Sequence, residues 1–325
     1  MRAAFYRVQG PAAEVLRLGE LATPEPGPGE VRVRVHASGV NPSDWKIRKG
    51  GFGVGLINPP IIPHSDGAGE IDRTGPGLED RVGERVWIFN GQWKRPCGTA
   101  AEYIVLPSAQ AVRLPECVTF AEGACLGIPL LTASQAIRLA RLEPGETVLV
   151  SGGAGSVGSY VIQLAKARGA SVVATVSSTA KASHARSAGA DHIINYREED
   201  LGDALKAIAP DGVEALIEVD LSFNARTYPK LLKQHARVVV YGVSAADVVI
   251  PALWLMRNSI SLNFFLVYET PLADRLANIA EISGLLERGA LIHTIGRRLP
   301  LCDIAQAHDL VESGTVMGKV VLDIC

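Results

Sequence analysis

The chain has 325 residues, of which 47% are hydrophobic, and its 32 Lys and Arg nearly balance its 34 Asp and Glu. At roughly 150 residues for each domain, this length predicts two domains. The hydrophobic fraction excludes a disordered chain, and five cysteines in this length exclude a disulfide scaffold. The formal charge of −2 argues against a partner held by bulk electrostatics, such as duplex DNA or an anionic bilayer.

The sequence has no segment typical of export or membrane insertion. Its start, Met1–Gly10, lacks the apolar core of a secretory signal. The most apolar stretches, Val248–Met256 and Ile260–Val267, are shorter than the ~20 residues that a membrane span needs. The cysteines have no CxxC spacing, which suits reduced thiols. We expect a cytoplasmic protein that binds neither a membrane nor nucleic acid.

Residues 1–122 have the texture of a β-rich domain. Polar residues and valines alternate over Glu30–His36, which predicts a half-buried strand. Arg85–Ile88 and Ala101–Leu106 are further predicted strands, and clusters of Pro and Gly separate them. This pattern predicts a compact, mainly antiparallel, barrel-like unit. Residues 293–325 return to the same strand-like character.

Residues 123–292 have a different sequence pattern, in which short apolar runs alternate with segments of helical periodicity. Between the first two runs, Val157, Val161 and Leu164 fall on one face of a helix. Strands that alternate with helices of about ten to fifteen residues indicate βαβ units and a parallel sheet. The predicted strands are Thr147–Val150, Ser171–Val176, His192–Ile194, Glu214–Val219 and Arg237–Tyr241.

A glycine-rich loop follows the first of these strands and leads into the first helix. Gly153, Gly155 and Gly158 fit GxGxxG, because residues without a Cβ permit a tight turn and a close approach of a ligand to the backbone. The new helix directs its free N–H groups toward a pyrophosphate. The strand–loop–helix context favours dinucleotide binding over an ordinary turn. The predicted cofactor-binding residues of the loop are Gly153, Ala154, Gly155, Ser156, Val157 and Gly158.

The residues after the second strand favour NADPH over NADH. An NAD site usually places an acidic residue about 20 residues after the loop to bind the ribose hydroxyls, but Thr147–Ala190 contains none. Hydroxyl groups and an ammonium suit a 2′-phosphate, which a carboxylate would repel. The candidate ligands are Ser177, Ser178 and Lys181, and the alternative for Lys181 is a solvated residue of the next helix.

Further motifs lie along the chain at Asn41–Asp44, Arg48–Gly50, Ser65–Gly69, Gly83–Val86, Gly98–Tyr103, Leu131–Ala133, Gln163, Lys166 and Asp191–Tyr196. With the glycine loop, they resemble the medium-chain dehydrogenase/reductase superfamily and, within it, the zinc-independent quinone oxidoreductases of the zeta-crystallin type. The resemblance covers essentially the whole chain. One departure is Ser156, which stands where these relatives usually have a second glycine in the loop.

The resemblance implies an α/β fold with two domains. A GroES-like, β-rich domain would span residues 1–122 and be completed by 293–325, and a Rossmann domain with a doubly wound parallel sheet would span 123–292. Ser177 and Lys181 would meet the 2′-phosphate of NADPH, and Tyr196 the adenosine end. The other implied cofactor contacts are Asn41 and Thr132 near the nicotinamide, Gly242 and Val243 along the cofactor channel, Phe265, Leu266 and Val267 beside the nicotinamide, and Lys319 from the C-terminal segment.

At the positions that bind zinc in alcohol dehydrogenases of the superfamily, this sequence has residues of other types. Alcohol dehydrogenases of the superfamily hold zinc through Cys, His and a further Cys or acidic residue, whereas the first two positions here are Asn41 and Ser65. His64 stands where the family pattern has Gly, and a lone His without a partner at metal spacing is more often structural or solvated. We expect no bound metal.

Without a Lewis acid, the expected substrate is an electron-poor acceptor. Quinones and conjugated carbonyl compounds accept hydride at one carbon and spread the charge onto an oxygen. The hypothesis is therefore direct hydride transfer from NADPH to a quinone, with catalysis mainly by positioning. Asn41 is the candidate polar group beside the nicotinamide. Asp44 orients Asn41, contributes to a proton path, or caps the turn Trp45–Arg48.

Two alternative functions stay open. A reductase of conjugated enals, enones or enoyl thioesters would share the fold and the cofactor. An NADPH-binding protein with a structural or RNA-binding role and little catalysis belongs to another class, against which the near-neutral charge weighs. The apolar strand predicted at Ile260–Val267 lies late in the sheet, and because an uncovered apolar edge favours aggregation, we expect a homodimer.

Overall fold

The computed structural model describes residues 1–51 and 55–324. Contacts between residues divide the chain into two compact units. The first unit contains Met1–Ile128 and the segment that starts at Ile279, and the second unit contains Pro129–Asn278. The domain limits expected from the sequence, after residues 122 and 292, stay a prediction.

The first unit is built mainly from antiparallel strands. Seven strands form one sheet in the order β14-β15-β3-β4-β5-β7, with β6 paired to β3, and β1 and β2 form a separate pair. Only β14 and β15 run parallel among the pairs of this unit that the structure describes. The strands are β1 (Arg2–Phe5), β2 (Arg17–Glu20), β3 (Glu30–Val40), β4 (Asp66–Thr74), β5 (Arg85–Ile88), β6 (Tyr103–Pro107), β7 (Ala111–Arg113), β14 (Ile295–Pro300) and β15 (Lys319–Asp323). β15 pairs with β3, so the end of the chain contributes to the sheet of the first unit.

The long strand β3 is more deeply buried than its alternating sequence predicts. It pairs with β15, β4 and β6, and its valines Val31, Val33 and Val35 lie in the core. Arg32, on the predicted solvent side, is also buried, because it forms ion pairs with Asp72 and Glu25. A paired arginine can occupy such a position because its charge is compensated.

Short helices complete the first unit. They are α1 (Ala12–Val15), α2 (Pro42–Arg48), α3 (Phe120–Gly123) and α11 (Ile304–Glu312). The longer helix α10 (Leu272–Glu287) begins in the second unit and ends in the first, since the chain divides between Asn278 and Ile279. One-turn 3-10 helices lie at Glu79–Arg81, Ser108–Gln110 and Leu301–Asp303, and a π-helical turn lies at Leu126–Leu130. The core of the unit is made largely of Val, Ile, Leu and Ala side chains from both ends of the chain.

The second unit is a six-stranded parallel sheet with helices between its strands. The strand order β10-β9-β8-β11-β12-β13 is the doubly wound order of a Rossmann fold. The strands are β8 (Thr147–Val150), β9 (Ser171–Val176), β10 (His192–Asn195), β11 (Val213–Glu218), β12 (Leu232–Val240) and β13 (Ser261–Phe264). The helices are α4 (Leu131–Ala140), α5 (Ser156–Ala167), α6 (Thr179–Ser187), α7 (Leu201–Ile208), α8 (Leu221–Asn224) and α9 (Ala252–Arg257), with 3-10 helices at Ala225–Lys230 and Val267–Glu269.

The structure confirms the predicted fold class and shortens one predicted strand. β8 and β9 have the predicted bounds, and the apolar face of α5 packs on the sheet as expected. The apolar run Ile260–Val267, by contrast, is a strand only from Ser261 to Phe264. The reason is its neighbour β12, which ends at Val240, the residue paired with Phe264. Among the described residues, no helix is long and apolar enough to cross a membrane.

Candidate functional site

The carboxyl edge of the parallel sheet gathers most of the predicted cofactor residues. The strand order reverses between β8 and β11, which is the topological switch point where doubly wound sheets bind ligands. The glycine loop follows β8, Ser177 and Ser178 follow β9, and Tyr196 follows β10. Gly242 and Val243 follow β12, and Phe265, Leu266 and Val267 follow β13. Because the strands are parallel, all these segments leave the sheet at the same edge.

The glycine loop is held by contacts that leave no room for side chains at two positions. A Cβ on Gly158 would lie 2.3 Å from the carbonyl oxygen of Gly152, and a Cβ on Gly153 would lie 2.7 Å from the Cβ of Ala174. Gly155 is the N-cap of α5, so the loop runs directly into the free N–H groups of that helix. The structure therefore presents backbone donors and a helix N-terminus together, as a pyrophosphate requires.

Gly152 lies just before the GxGxxG pattern and was not among the residues predicted from the sequence. Gly152 has a φ of +72°, a left-handed conformation that favours glycine, and it makes the turn out of β8. Its N–H donates to Thr175 Oγ1 at 3.1 Å, and the N–H of Gly153 donates to the carbonyl oxygen of Thr175 at 3.0 Å. The turn is thus anchored to the end of β9.

The segment after β9 has no acidic side chain, as the sequence indicates. Ser178 is the N-cap of α6, and its hydroxyl accepts the N–H of Lys181 at 3.3 Å. The Ser178 side chain therefore stabilises the helix start. Ser177 and Lys181 are both half-buried at this edge.

Two exposed aromatic rings stand beside each other at the same edge. Tyr196, after β10, and Phe223, in α8 after β11, have ring centroids 6.5 Å apart. Phe223 is 74% exposed and was not among the residues predicted from the sequence. The available signal was an aromatic residue between two polar ones, Ser222 and Asn224. Gly242 comes so close to Val219 that a Cβ would lie 2.0 Å from its carbonyl oxygen.

Glu218, at the end of β11, is another residue that the sequence analysis missed. It is fully buried, and burial raises the pKa of its carboxyl group. It accepts the N–H of Asp220 at 2.8 Å and the side-chain amide of Asn224 at 2.9 Å. These bonds fix the loop next to the glycine turn. Thr132, predicted to contact the nicotinamide, is buried in α4 of the same unit.

In the first unit, two predicted residues, Asn41 and Lys319, meet at a buried ion pair with Asp66. The ammonium of Lys319, at the start of β15, donates to Asp66 Oδ2 at 2.7 Å and also to Asn41 Oδ1. The amide of Asn41 donates to the same Asp66 oxygen at 2.8 Å. Lys319 is 2% exposed and Asp66 is fully buried. We call Asn41, Asp66 and Lys319 the lysine cluster.

The backbone around the lysine cluster is shaped to admit it. Asp66 Oδ1 accepts the N–H of Ile128 at 2.7 Å, so both carboxylate oxygens have donors. A Cβ on Gly127 would lie 2.2 Å from Asp66 Oδ1, and a Cβ on Gly39 would lie 2.7 Å from Lys319 Cε. Glycine is therefore required at both positions. Asp66 belongs to the motif Ser65–Gly69, but the sequence analysis did not identify it as a site residue.

Asp44 lies next to the lysine cluster as the third residue of α2. Its Oδ2 accepts the N–H of Asn41 at 2.7 Å, which is the helix-capping arrangement named as one alternative. Its Oδ1 is buried and has no hydrogen-bond partner among the described residues. Burial, helped by the nearby charge of Asp66, raises the pKa of Asp44 to about 7 against the hydrogen bond from Asn41 and the charge of Lys319.

The residues at the zinc positions of the superfamily do not fit a metal ion. Asn41 Oδ1 and Asp66 Oδ2 already share one cation, the ammonium of Lys319. The other position is Ser65, a neutral hydroxyl, which is an uncommon zinc ligand. Within residues 1–51 and 55–324, no group of three or more His, Cys, Asp or Glu side chains is placed to hold a metal.

Comparisons with known proteins assign the chain to a family. The family model described as "Alcohol dehydrogenase GroES-like domain" matches residues 27–116, and the model described as "Zinc-binding dehydrogenase" matches residues 156–282. The quinone oxidoreductase of Rattus norvegicus is 33% identical over 318 residues, which cover 95% of this chain and 94% of the relative. The human quinone oxidoreductase is 31% identical over 314 residues and 95% of this chain, and 94% of that relative is covered.

Solved structures agree with this assignment. The quinone oxidoreductase of Escherichia coli complexed with NADPH has a TM-score of 0.87 and 26% identity, and both chains are covered completely. An NAD-dependent alcohol dehydrogenase has a TM-score of 0.90 and 29% identity, again with complete coverage of both chains. The chain belongs to the quinone oxidoreductase family of the medium-chain dehydrogenase/reductase superfamily, and it is an oxidoreductase.

The lysine cluster makes a prediction about stability. Lys319→Met leaves the Asp66 carboxylate buried without its cation, so we expect the free energy of unfolding to fall by about 3–5 kcal/mol. Adding Asp66→Asn removes the stranded charge and restores most of that loss. The measurement is urea unfolding at neutral pH.

The control is Lys49→Met, which removes a partly exposed ion pair with Glu312 and costs about 1 kcal/mol or less. Equal losses for Lys319→Met and Lys49→Met would contradict the account of the lysine cluster.

Proposed function

We propose that the protein transfers hydride from NADPH to a quinone without a metal ion. The observation that carries the proposal is the lysine cluster, in which a buried ammonium is bound by Asp66 and by Asn41, one of the zinc positions that the resemblance implies. The 33% identity to a quinone oxidoreductase over nearly the whole chain supports the substrate class. In the balanced reaction, quinone, NADPH and one proton give hydroquinone and NADP⁺.

NADPH is the proposed cofactor, held by the carboxyl edge of the parallel sheet. The glycine loop and the start of α5 would bind the pyrophosphate, while Ser177 and Lys181 would bind the 2′-phosphate. Tyr196 would contact the adenosine end. The absence of a carboxylate after β9 supports this choice over NADH. The remaining proposed contacts are Ala154, Val157, Thr132, Gly242, Val243, Phe265, Leu266, Val267, Asn41 and Lys319.

Lys319 is the proposed electrophile for the oxygen that gains negative charge. An ammonium has three donors, and among the described residues two of them are used by Asn41 and Asp66. The third is held in a fixed, buried position, where a charge-assisted hydrogen bond is strong because little water screens it. Asn41 would orient the ammonium and present its remaining amide hydrogen beside it.

Asp44 is the proposed proton reservoir. Its pKa of about 7 means that the carboxyl group is partly protonated at neutral pH, and its unpartnered Oδ1 is the atom that would carry the proton. A proton donor with a pKa near the working pH is effective as a general acid. Asn41 and Asp44 are accordingly the catalytic residues of the proposal, together with Lys319.

We also propose a cytoplasmic location. The four cysteines that the structure describes, Cys97, Cys117, Cys125 and Cys302, are free thiols, which persist in a reducing compartment.

The test of the reaction compares two acceptors at equal concentration. With 1,4-benzoquinone, we expect NADPH oxidation well above the uncatalysed rate, because the charge that hydride brings is delocalised onto an oxygen. A small enone measures the rival activity. Lys319→Met should lower the quinone rate far more than it weakens NADPH binding, because Lys319 is one of many proposed cofactor contacts, whereas Lys49→Met should change neither.

Quinone turnover at the background rate, with rapid turnover of the enone, would replace the proposal with an enone reductase. Tight NADPH binding with no turnover of either acceptor would instead favour a binding protein.

Cofactor choice gives a separate prediction. Lys181→Ala should raise the KM for NADPH roughly tenfold to a hundredfold, as expected for the loss of a charge-assisted hydrogen bond worth about 1.5–3 kcal/mol. The KM for NADH should change little, because NADH lacks the 2′-phosphate. Lys206→Ala, on the exposed side of α7, is the matched control. Equal effects of Lys181→Ala on both cofactors would refute the assignment.

A homodimer is proposed from the edge of the parallel sheet. β13 is the last strand in the sheet order, and Phe264 on it is 59% exposed. The unpaired backbone groups of an edge strand, together with an exposed aromatic ring on it, favour pairing with a second copy. Phe264→Glu should convert a dimer to a monomer in sedimentation velocity, whereas Phe223→Glu, at a ring that is still more exposed, should not. A monomeric unmodified protein would contradict the proposal.

A further inference from the structure

A chain of buried polar side chains crosses the first unit and ends at the lysine cluster. It contains Arg48 from α2, His308 from α11, His64, Ser38 from β3 and Thr99, and each of them is fully buried. Such a chain is costly unless every member is hydrogen-bonded. The distances between the hydrogen-bonding atoms of successive members are 3.3, 3.0, 2.8 and 2.7 Å.

Arg48 fixes the protonation of both histidines. A guanidinium only donates, so Nδ1 of His308, at 3.3 Å from Arg48 Nε, must be an acceptor. The hydrogen of neutral His308 is therefore on Nε2, and it is donated to His64 Nε2 at 3.0 Å. His64 consequently carries its hydrogen on Nδ1 and donates it to Ser38 Oγ at 2.8 Å.

The other end of the chain imposes the same direction. A backbone carbonyl only accepts, and the hydroxyl of Thr99 donates to the carbonyl oxygen of Asp66 at 2.6 Å. The hydroxyl of Ser38 can then donate to Thr99 Oγ1 at 2.7 Å. Both ends thus specify one orientation for every hydrogen in between, and the chain ends on the residue whose carboxylate binds Lys319.

Charge and burial keep the two rings neutral. Burial is the largest cause that lowers the pKa of each histidine, to about 3 for His308 and well below the usual value for His64. The cations that face them, Arg48 for His308 and Lys319 for His64, act in the same direction. The acidic groups on this side, Asp309 and Glu312 of α11, act on Arg48.

The backbone at His64 indicates that this side chain is specifically required. His64 has a φ of +78°, a left-handed conformation in which a residue with a Cβ is strained by about 1 kcal/mol or more. The family pattern has glycine at this position, which would adopt the same conformation freely. The hydrogen bonds to Ser38 and His308 are the contacts that offset this strain.

We infer that His64 and His308 are positioning residues of the lysine cluster, which act through a one-way hydrogen-bond chain from Arg48 to the Asp66 carbonyl. The chain fixes the backbone of Asp66, and the Asp66 carboxylate in turn fixes the Lys319 ammonium and the Asn41 amide. The inference rests on the proposed function only where it assigns an effect on quinone reduction. The tautomers and the position of the ammonium are independent of any activity.

The first test is ¹⁵N NMR of the full chain, which distinguishes protonated from unprotonated ring nitrogens. We expect His64 to be protonated on Nδ1 and His308 on Nε2, with neither ring titrating between pH 8 and about pH 5. The opposite tautomer at either ring, or titration of either ring near its ordinary pKa, would overturn the inference.

The second test measures the exchange rate of the Lys319 ammonium hydrogens with water, in the unmodified protein and in two variants. Ser38→Ala cuts the chain at β3, and His308→Leu cuts it at α11. Each should speed the exchange and lower kcat with benzoquinone about tenfold, with the KM for NADPH within about twofold. His192→Gln, at an exposed position of the second unit, is the control and should change nothing.

Two further results distinguish a chain that positions the Lys319 ammonium from a chain that only stabilises the fold. His308→Gln keeps an amide N–H donor at the place of Nε2, toward His64, so it should retain more of the slow ammonium exchange than His308→Leu does. Unchanged exchange in Ser38→Ala, with a folded protein, would overturn the inference. If the unmodified protein does not reduce quinones, the proposed function fails, and the tautomers and the exchange rates still decide the inference.

Discussion

The buried pair of Lys319 and Asp66 is the interaction on which the first unit and its chemistry depend. It joins the start of the last strand to β4, and through Asn41 and Ile128 it also holds the start of α2 and the turn at Gly127. A buried pair of opposite charges needs further hydrogen bonds to offset its desolvation, and here Asn41 and Ile128 supply them. The two glycines that make room for it, Gly39 and Gly127, show how closely the backbone is fitted to the pair.

The second unit has a different physical basis, because it brings polar backbone groups and a helix N-terminus to one edge of an apolar sheet. The turn at Gly152 and the contact of Gly158 with the preceding loop hold α5 against β8. Glu218 and its acceptor bonds fix the neighbouring loop. In the proposed reaction this edge holds NADPH, while the lysine cluster supplies the fixed positive charge. The work is thus divided between binding and electrostatic stabilisation.

Local patterns in the sequence predicted the second unit well, and contacts between distant residues account for what was missed. The bounds of β8 and the glycine spacing follow from neighbours within about ten residues, so periodicity and turn chemistry suffice. Lys319 and Asp66 are 253 residues apart, and His64 and His308 are 244 apart. They meet because β15 and α11 return to the first unit. The strand-like pattern of residues 293–325 predicts strands there, but it does not indicate which distant side chains they meet. His64 was predicted to be structural or solvated, and the structure places it in the buried chain.

The central claim is that the Lys319 ammonium receives the substrate oxygen during hydride transfer. A crystal structure of the protein with NADP⁺ and 1,4-benzoquinone, a complex that cannot react, tests it most directly. The account predicts a quinone oxygen within about 2.7–3.2 Å of Lys319 Nζ, with Asn41 and Asp66 still bound to the ammonium. A bound quinone whose oxygens contact only other donors, with Lys319 enclosed by its protein partners, would contradict it.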